Sequence, residues 1–208
     1  MHKKLIVACM AVAAFAAFVV APMASGAVLT ENGSAVAVGS SITGTATETK
    51  FTAGSSTVTC ANAHMAGTVT ANSNGTVAGE IPAGNGVFTG TATGSDCTST
   101  NLGPVKPTVN SKLCLHVAKG TDTGTVNGCG GPITFTLNVT NLGLNCRYEA
   151  ASVSGSITTS PADAAVNLVS QPATGEAGNN FFCPASGELD MEFTLTTTAP
   201  TPTTLTFS

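Results

Sequence analysis

The chain has 208 residues and a formal net charge of −4, and only 9 % of its side chains are charged whereas 42 % are apolar. A nucleic-acid partner needs a Lys/Arg stripe; with Arg147 as the sole arginine and no basic cluster, that partner and an anionic membrane surface are both excluded. The apolar content also excludes disorder through low hydrophobicity and high charge.

The N-terminus has the three parts of a secretory signal. His2, Lys3 and Lys4 form a basic start, residues 5–20 are apolar without a break, and residues 21–27 are small. Cleavage is expected after Ala27. The apolar run of about 16 residues is shorter than the ~20 that span a bilayer. Ile6-Val7-Ala8-Cys9 has the look of a lipobox, but most of the apolar core follows Cys9, so this cysteine reads as a small hydrophobe within the signal. Residues 28–208 are then an exported domain, with 28–112 and 113–208 as candidate halves. A chain of that length can bury a core of its own. No transmembrane segment is expected after the signal.

Beyond the signal, Thr and Val dominate and helical periodicity is absent, which favours strands. In chain order the expected strands are 35–38, 41–48, 57–60, 67–71 and 76–81. The last two are joined by Asn72-Ser73-Asn74-Gly75, an Asn-Gly hairpin signal. A strand over 86–93 leads to Cys97. Residues 101–110 carry Gly103, Pro104 and Pro107 and read as a surface loop. A strand over 113–118 follows, then a sharp turn at 128–132. Next comes 133–139, where Ile133, Phe135, Leu137 and Val139 share one face. Strands over 146–150, 152–158 and 164–169 precede a loop over 171–180. The strand over 188–197 is the clearest, and 203–207 reads as an edge strand. So many short strands suit a β-sandwich or a barrel-like antiparallel domain. The near absence of Trp and Tyr argues against an antibody-type core and against an outer-membrane barrel, which needs aromatic girdles.

Six cysteines remain after the signal: Cys60, Cys97, Cys114, Cys129, Cys146 and Cys183. An even number in an exported chain reads as disulfides. Cys60 and Cys97 enclose 36 residues, as do Cys146 and Cys183, and Cys114 and Cys129 enclose 14. This regularity favours pairing in order, although other pairings are open to six cysteines. Zinc is disfavoured, because no Cys-x-x-Cys occurs and Cys60/His64 and Cys114/His116 are poor ligand pairs. Gly67-Thr68-Val69-Thr70 after Cys60 and Gly155-Ser156-Ile157-Thr158 after Cys146 hint at a duplication, which would give two similar β-units packed together.

Glu188, Asp190 and Glu192 alternate with Leu189, Met191 and Phe193, so one strand face is acidic and the other apolar. The acidic set is a calcium candidate or a glycosidase candidate. A straight strand spreads such side chains about 6–7 Å apart instead of folding them round an ion, and one strand makes no cleft. A solvated face that resists edge pairing is the simpler reading. His64 and His116 lie outside any nucleophile motif such as Gly-x-Ser-x-Gly. Thr45-Ala46-Thr47 and Thr196-Thr197-Thr198 lack the constant period of an ice-binding array. No catalytic residue, metal or cofactor is expected.

Ser56-Thr57-Val58-Thr59-Cys60, Gly67-Thr68-Val69-Thr70 and the span from Cys146 to Cys183-Pro184 resemble a group of small, uncharacterised, secreted Thr/Gly-rich, cysteine-bearing β-proteins of actinobacteria. The resemblance implies export and a β-fold and transfers no catalytic residue; the Cys114–Cys129 pair is outside its pattern. The expected function is a non-catalytic exported β-domain with a binding or structural role, meeting cell-envelope glycan or protein. The alternatives are a carrier of a small apolar ligand between the sheets or in a barrel mouth, and a secreted hydrolase. An apolar pocket favours the carrier; a carboxylate across a cleft from the Glu188 strand favours the hydrolase; a packed core without a cleft favours the structural role. Non-reducing peptide mapping of the exported protein is expected to give Val28 as the first residue and no free thiol. Free sulfurs throughout, or a retained residue 1–27 segment, would contradict this reading.

Overall fold

The computed structural model describes residues 28–73, 75–91, 94–118, 121–158, 162–198 and 201–208. The expected signal over 1–27, with Cys9, lies outside the described residues, as does Asn74 of the expected hairpin turn. The described residues form no helix. They form the strands β1 (Leu29–Glu31), β2 (Ser34–Ala35), β3 (Ser41–Ala46), β4 (Thr49–Ala53), β5 (Ser56–Cys60) and β6 (Asn62–Ser73). Then come β7 (Thr76–Ile81), β8 (Gly86–Thr89), β9 (Thr98–Ser99), β10 (Val105–Val109), β11 (Leu113–Ala118) and β12 (Thr123–Asn127). The remainder are β13 (Ile133–Val139), β14 (Leu144–Ala150), β15 (Val153–Thr158), β16 (Ala165–Gly175), β17 (Ser186–Thr197) and β18 (Thr206–Phe207).

Eight of these close on themselves. The order β3-β6-β7-β11-β12-β15-β16-β17 returns to β3, and every neighbouring pair is antiparallel. This is a closed eight-stranded barrel of the kind whose interior either fills with side chains or holds one small ligand.

A second cycle of pairings shares two of its strands. It runs β4-β5-β9, crosses to β10 through Cys97 and Val105, continues through β13 and β14, and returns by β16 and β17 to β4. Cys97 and Val105 each donate a backbone N–H to the other's carbonyl at 2.9 Å. The long strands β16 and β17 serve both rings, the first through 165–168 and 191–197, the second through 171–175 and 186–191. A register shift between Leu168 and Gln171 marks the change, and Ser170 there takes a positive φ of 47°. Opposite them, β3 and β4 pair with β6 and β5 in one unbroken register, from Ser41↔Thr68 to Ala53↔Ser56.

The two rings have an internal twofold repeat. In the first ring, β3-β6-β7-β11 is followed by β12-β15-β16-β17, with the same hairpin order in each set. Between them the second-ring hairpin β4–β5 corresponds to β13–β14. Gly67 on β6 then corresponds to Gly155 on β15. A Cβ on Gly67 would collide with the Glu80 carbonyl of the adjacent strand, and one on Gly155 with the Asn167 carbonyl. The repeated Gly-Thr/Ser-Val/Ile-Thr segments therefore meet the same close backbone approach, which only glycine tolerates. The chain halves 28–112 and 113–208 each supply strands to both rings.

Two expected loops are strands in part. Residues 101–110 contain β10, with Val105 fully buried, and β16 runs through Pro172 to Gly175. Each of these strand segments contains a proline. A proline is tolerated in a strand where its missing N–H would not serve the ladder, or beside a bulge; Pro107 pairs with Leu137 on one side only, and Pro172 follows the β16 register shift. The end of the chain forms an edge strand, as expected, and it is well buried. Phe207, Leu205 and Leu29 are among the most buried side chains, in a small sheet β18-β1-β2. Asn72 anchors that sheet: its Oδ1 accepts from Leu29 N–H at 2.8 Å, and its Nδ2 donates to the carbonyls of Leu29 at 2.7 Å and Val36 at 2.8 Å.

Asn72→Leu would leave the Leu29 N–H and the Val36 carbonyl without partners, while the Leu29 carbonyl keeps the Val36 N–H, at about 1–3 kcal/mol for each group that water cannot reach. It is expected to lower the melting temperature by several degrees or more in a thermal melt followed by circular dichroism, whereas replacing exposed Asn110 by Leu is expected to leave it nearly unchanged.

Candidate functional site: an apolar cavity through both rings

Along the strands, apolar side chains alternate inward and polar ones outward. On β17, Met191, Phe193 and Leu195 are buried, while Glu188 and Glu192 are exposed. On β15, Val153, Gly155 and Ile157 are buried between exposed serines and threonine. This is the reverse of an outer-membrane barrel, which is apolar outside and polar within. No helix of the described residues is long and apolar enough to cross a membrane.

The interior is not filled. A cavity of about 140 Å³ runs through it, bounded by first-ring residues such as Ile42, Met65, Leu115, Val126 and Phe193 and by second-ring residues such as Phe51, Phe135, Leu137 and Leu189. Three inward glycines, Gly44, Gly67 and Gly79, line it where larger side chains would otherwise meet. The lining reaches exposed Thr108 and Pro172 at the surface. Its surface is almost entirely hydrocarbon; Glu80 is the one charged lining residue, and its carboxylate pairs with Lys112.

Toward the second ring an aromatic cluster forms one wall. Phe51 meets Phe135 edge-on at 5.3 Å between ring centroids and Tyr148 at 4.8 Å, and Phe135 stacks on Tyr148 at 5.5 Å. Phe51, Val58 and Leu137 face both the main cavity and a 20 Å³ void on the far side, beside Tyr148. Burial raises the Tyr148 phenol above its ordinary pKa of 10.0.

Thr49 stands apart from the other polar lining residues. It is only 4 % exposed, it borders the cavity, and its Oγ1 is the one buried side-chain oxygen or nitrogen among the described residues with no hydrogen-bond partner. Leaving such a hydroxyl unmatched costs about 1–3 kcal/mol relative to a bonded one.

The residues singled out in the sequence lie elsewhere. Glu188, Asp190 and Glu192 sit on the outer face of β17, away from the cavity. Asp190 Oδ1 accepts a hydrogen bond from Ser170 N–H at 2.7 Å, tying down the β16 bulge. Among the described residues the only group of three potential metal ligands within 4.8 Å is Glu80, Cys114 and Cys129, and both cysteines are in a disulfide. His64 and His116 are exposed on the outer faces of β6 and β11. The six cysteines pair in order: Cys60–Cys97, Cys114–Cys129 and Cys146–Cys183. Three intramolecular disulfides are compatible with an extracytoplasmic location. Cys60 and Cys146 belong to the second ring, on β5 and β14. The Cys146–Cys183 bridge is reinforced by Asn179, whose side chain bonds the backbone of Arg147 through both Oδ1 and Nδ2, at 2.9 and 2.7 Å.

Sequence reasoning could name most of the lining side chains as core, but not the hollow between them. The signal lay in the glycines at inward positions, which read in the sequence as turn or strand punctuation. Comparison with family models, curated proteins and solved structures finds no match for this chain.

The aromatic wall makes a pH prediction. Because the folded state holds Tyr148 neutral above the pH at which an unfolded tyrosine ionises, its contribution to stability is intact below the ordinary phenol pKa. It declines as pH rises through and beyond that value. As the only tyrosine in the chain, Tyr148 is expected to show phenolate absorbance late and together with alkaline unfolding, and Tyr148→Phe is expected to reduce the alkaline loss of stability.

Proposed function

We propose that this protein is a non-catalytic, exported binding protein that carries a small apolar molecule inside its fused barrels. The observation that carries the reading is the single cavity of about 140 Å³ passing from one ring into the other. Apolar cavities of ~150 Å³ stay dry and admit hydrocarbon guests, and a domain with only a structural role would be expected to close such a hollow by packing. The outward position of Glu188, Asp190 and Glu192 disfavours the hydrolase, since none of the three borders the cavity or the smaller void.

Secretion fits the same role. A sparsely charged, Thr/Ser-rich exterior would keep the carrier in solution outside the cell, and crosslinks would hold a hollow fold together there. The resemblance to secreted actinobacterial β-proteins is in line with such a setting and adds nothing about the guest.

The chain carries its own reporters. Met65 and Met191 are the only methionines between residues 28 and 208, and both border the cavity. In protein labelled with 13C-methyl methionine, stoichiometric addition of dodecane or dodecanol is expected to shift both methyl signals. Val126→Phe, which places a larger ring in the cavity, is expected to abolish the shifts while the protein stays folded. Signals that no apolar guest moves would rule the carrier out.

A further inference from the structure

The chemistry of the guest can be narrowed from the walls. The lining residues on β17 run from Leu189 to Leu195, a span of about 20 Å at ~3.3 Å per residue. A guest that touched this lining from end to end would be an extended chain and not a compact ring system. No lysine, arginine or histidine borders it, and the Glu80 carboxylate is already paired with Lys112. A guest with a charged head would find no counter-ion within.

Among the polar residues of this lining, Thr49 stands apart. It borders the cavity, and its hydroxyl is buried without a partner. Rotation about χ1 exchanges that hydroxyl with the methyl group, so the oxygen can be presented to a guest. Thr49 lies where β3 passes into β4, opposite Met191 and Cys60, at the waist between the rings.

We propose that the guest is an uncharged, elongated, mainly hydrocarbon molecule bearing one hydrogen-bonding oxygen, which Thr49 holds at the waist. A long-chain alcohol or ketone has this chemistry; a fatty carboxylate and a plain alkane do not. The assignment rests on the carrier reading and specifies its guest.

The test compares dodecane, dodecanol and dodecanoate on the wild type, Thr49→Val and Thr49→Ser, with affinities read from the Met65 and Met191 methyl shifts. Dodecanol is expected to bind the wild type and Thr49→Ser about tenfold more tightly than Thr49→Val, the worth of one hydrogen bond in a dry site. Dodecane is expected to bind all three alike, and dodecanoate to bind most weakly. Thr49→Val removes an unmatched hydroxyl and is expected to melt no lower than the wild type, so a loss of alcohol binding would not reflect unfolding. If dodecane binds and Thr49→Val keeps full affinity for dodecanol, the assignment to Thr49 fails and the carrier reading stands. If dodecanoate binds most tightly, the uncharged guest is wrong. If no guest moves the signals of the wild type, the carrier reading fails and takes this assignment with it.

Discussion

Closure of the backbone ladder is the constraint on which this structure depends. A strand left at the edge of a sheet exposes unpaired N–H and C=O groups, and a chain with this many short strands would have several such edges. Here the same long strands solve the problem twice. β16 and β17 close the first ring with one half of their length and the second ring with the other, and the bulge at Ser170 lets the register change between them. Once both rings close, the inward face is fixed by the two-residue period of the strands. The apolar set must point in, whether or not it fills the space.

The repeat explains how so little sequence variety builds so long a structure. Each unit sends a hairpin across the waist and returns, so the close approach at Gly67 recurs at Gly155. Where the two units differ, the difference carries information. The segment at 128–132 is an insertion relative to the β3–β4 junction, and Cys129 bridges it back to β11. Thr49, just past that β3–β4 junction, brings the one orphaned buried side-chain hydroxyl among the described residues to the cavity wall.

Much of the fold was legible because strand alternation is local. Ile133, Phe135, Leu137 and Val139 announced an inward face, and all four point into the second ring. The acidic and apolar faces of β17 were likewise readable residue by residue, and the spacing of the cysteines favoured the pairing that the structure adopts. What escaped was whatever depended on distant partners. Pro107 and Pro172 carry local loop signals, yet ladder geometry on one side only, or beside a bulge, accommodates both. Phe207 looked like a chain end because its partners, Leu29 on β1 and the side chain of Asn72 that fixes it, lie far away in sequence. The cavity was least legible, since a hollow is an absence of atoms and no residue type encodes it except the inward glycines.

A hollow core has to be offset elsewhere in the fold. At ~24 cal/mol per Å³ a void of this size costs about 3 kcal/mol relative to a filled interior, and that is a sizeable part of the ~5–15 kcal/mol by which domains are stable. Chain-entropy reasoning assigns roughly 3–4 kcal/mol to each disulfide closing a loop of these lengths, so one bridge is of the right size to compensate the void. Cys60 and Cys97 border the seam at which the second ring closes, and Cys97 itself supplies the backbone link to Val105. The crosslink that restricts the unfolded chain therefore also secures the weakest junction of the ring in the folded one. A guest that occupies the hollow would stabilise the native state further, in proportion to the logarithm of its concentration over its dissociation constant. The empty fold can thus persist unfilled, and the void that weakens it is what would leave room for a guest.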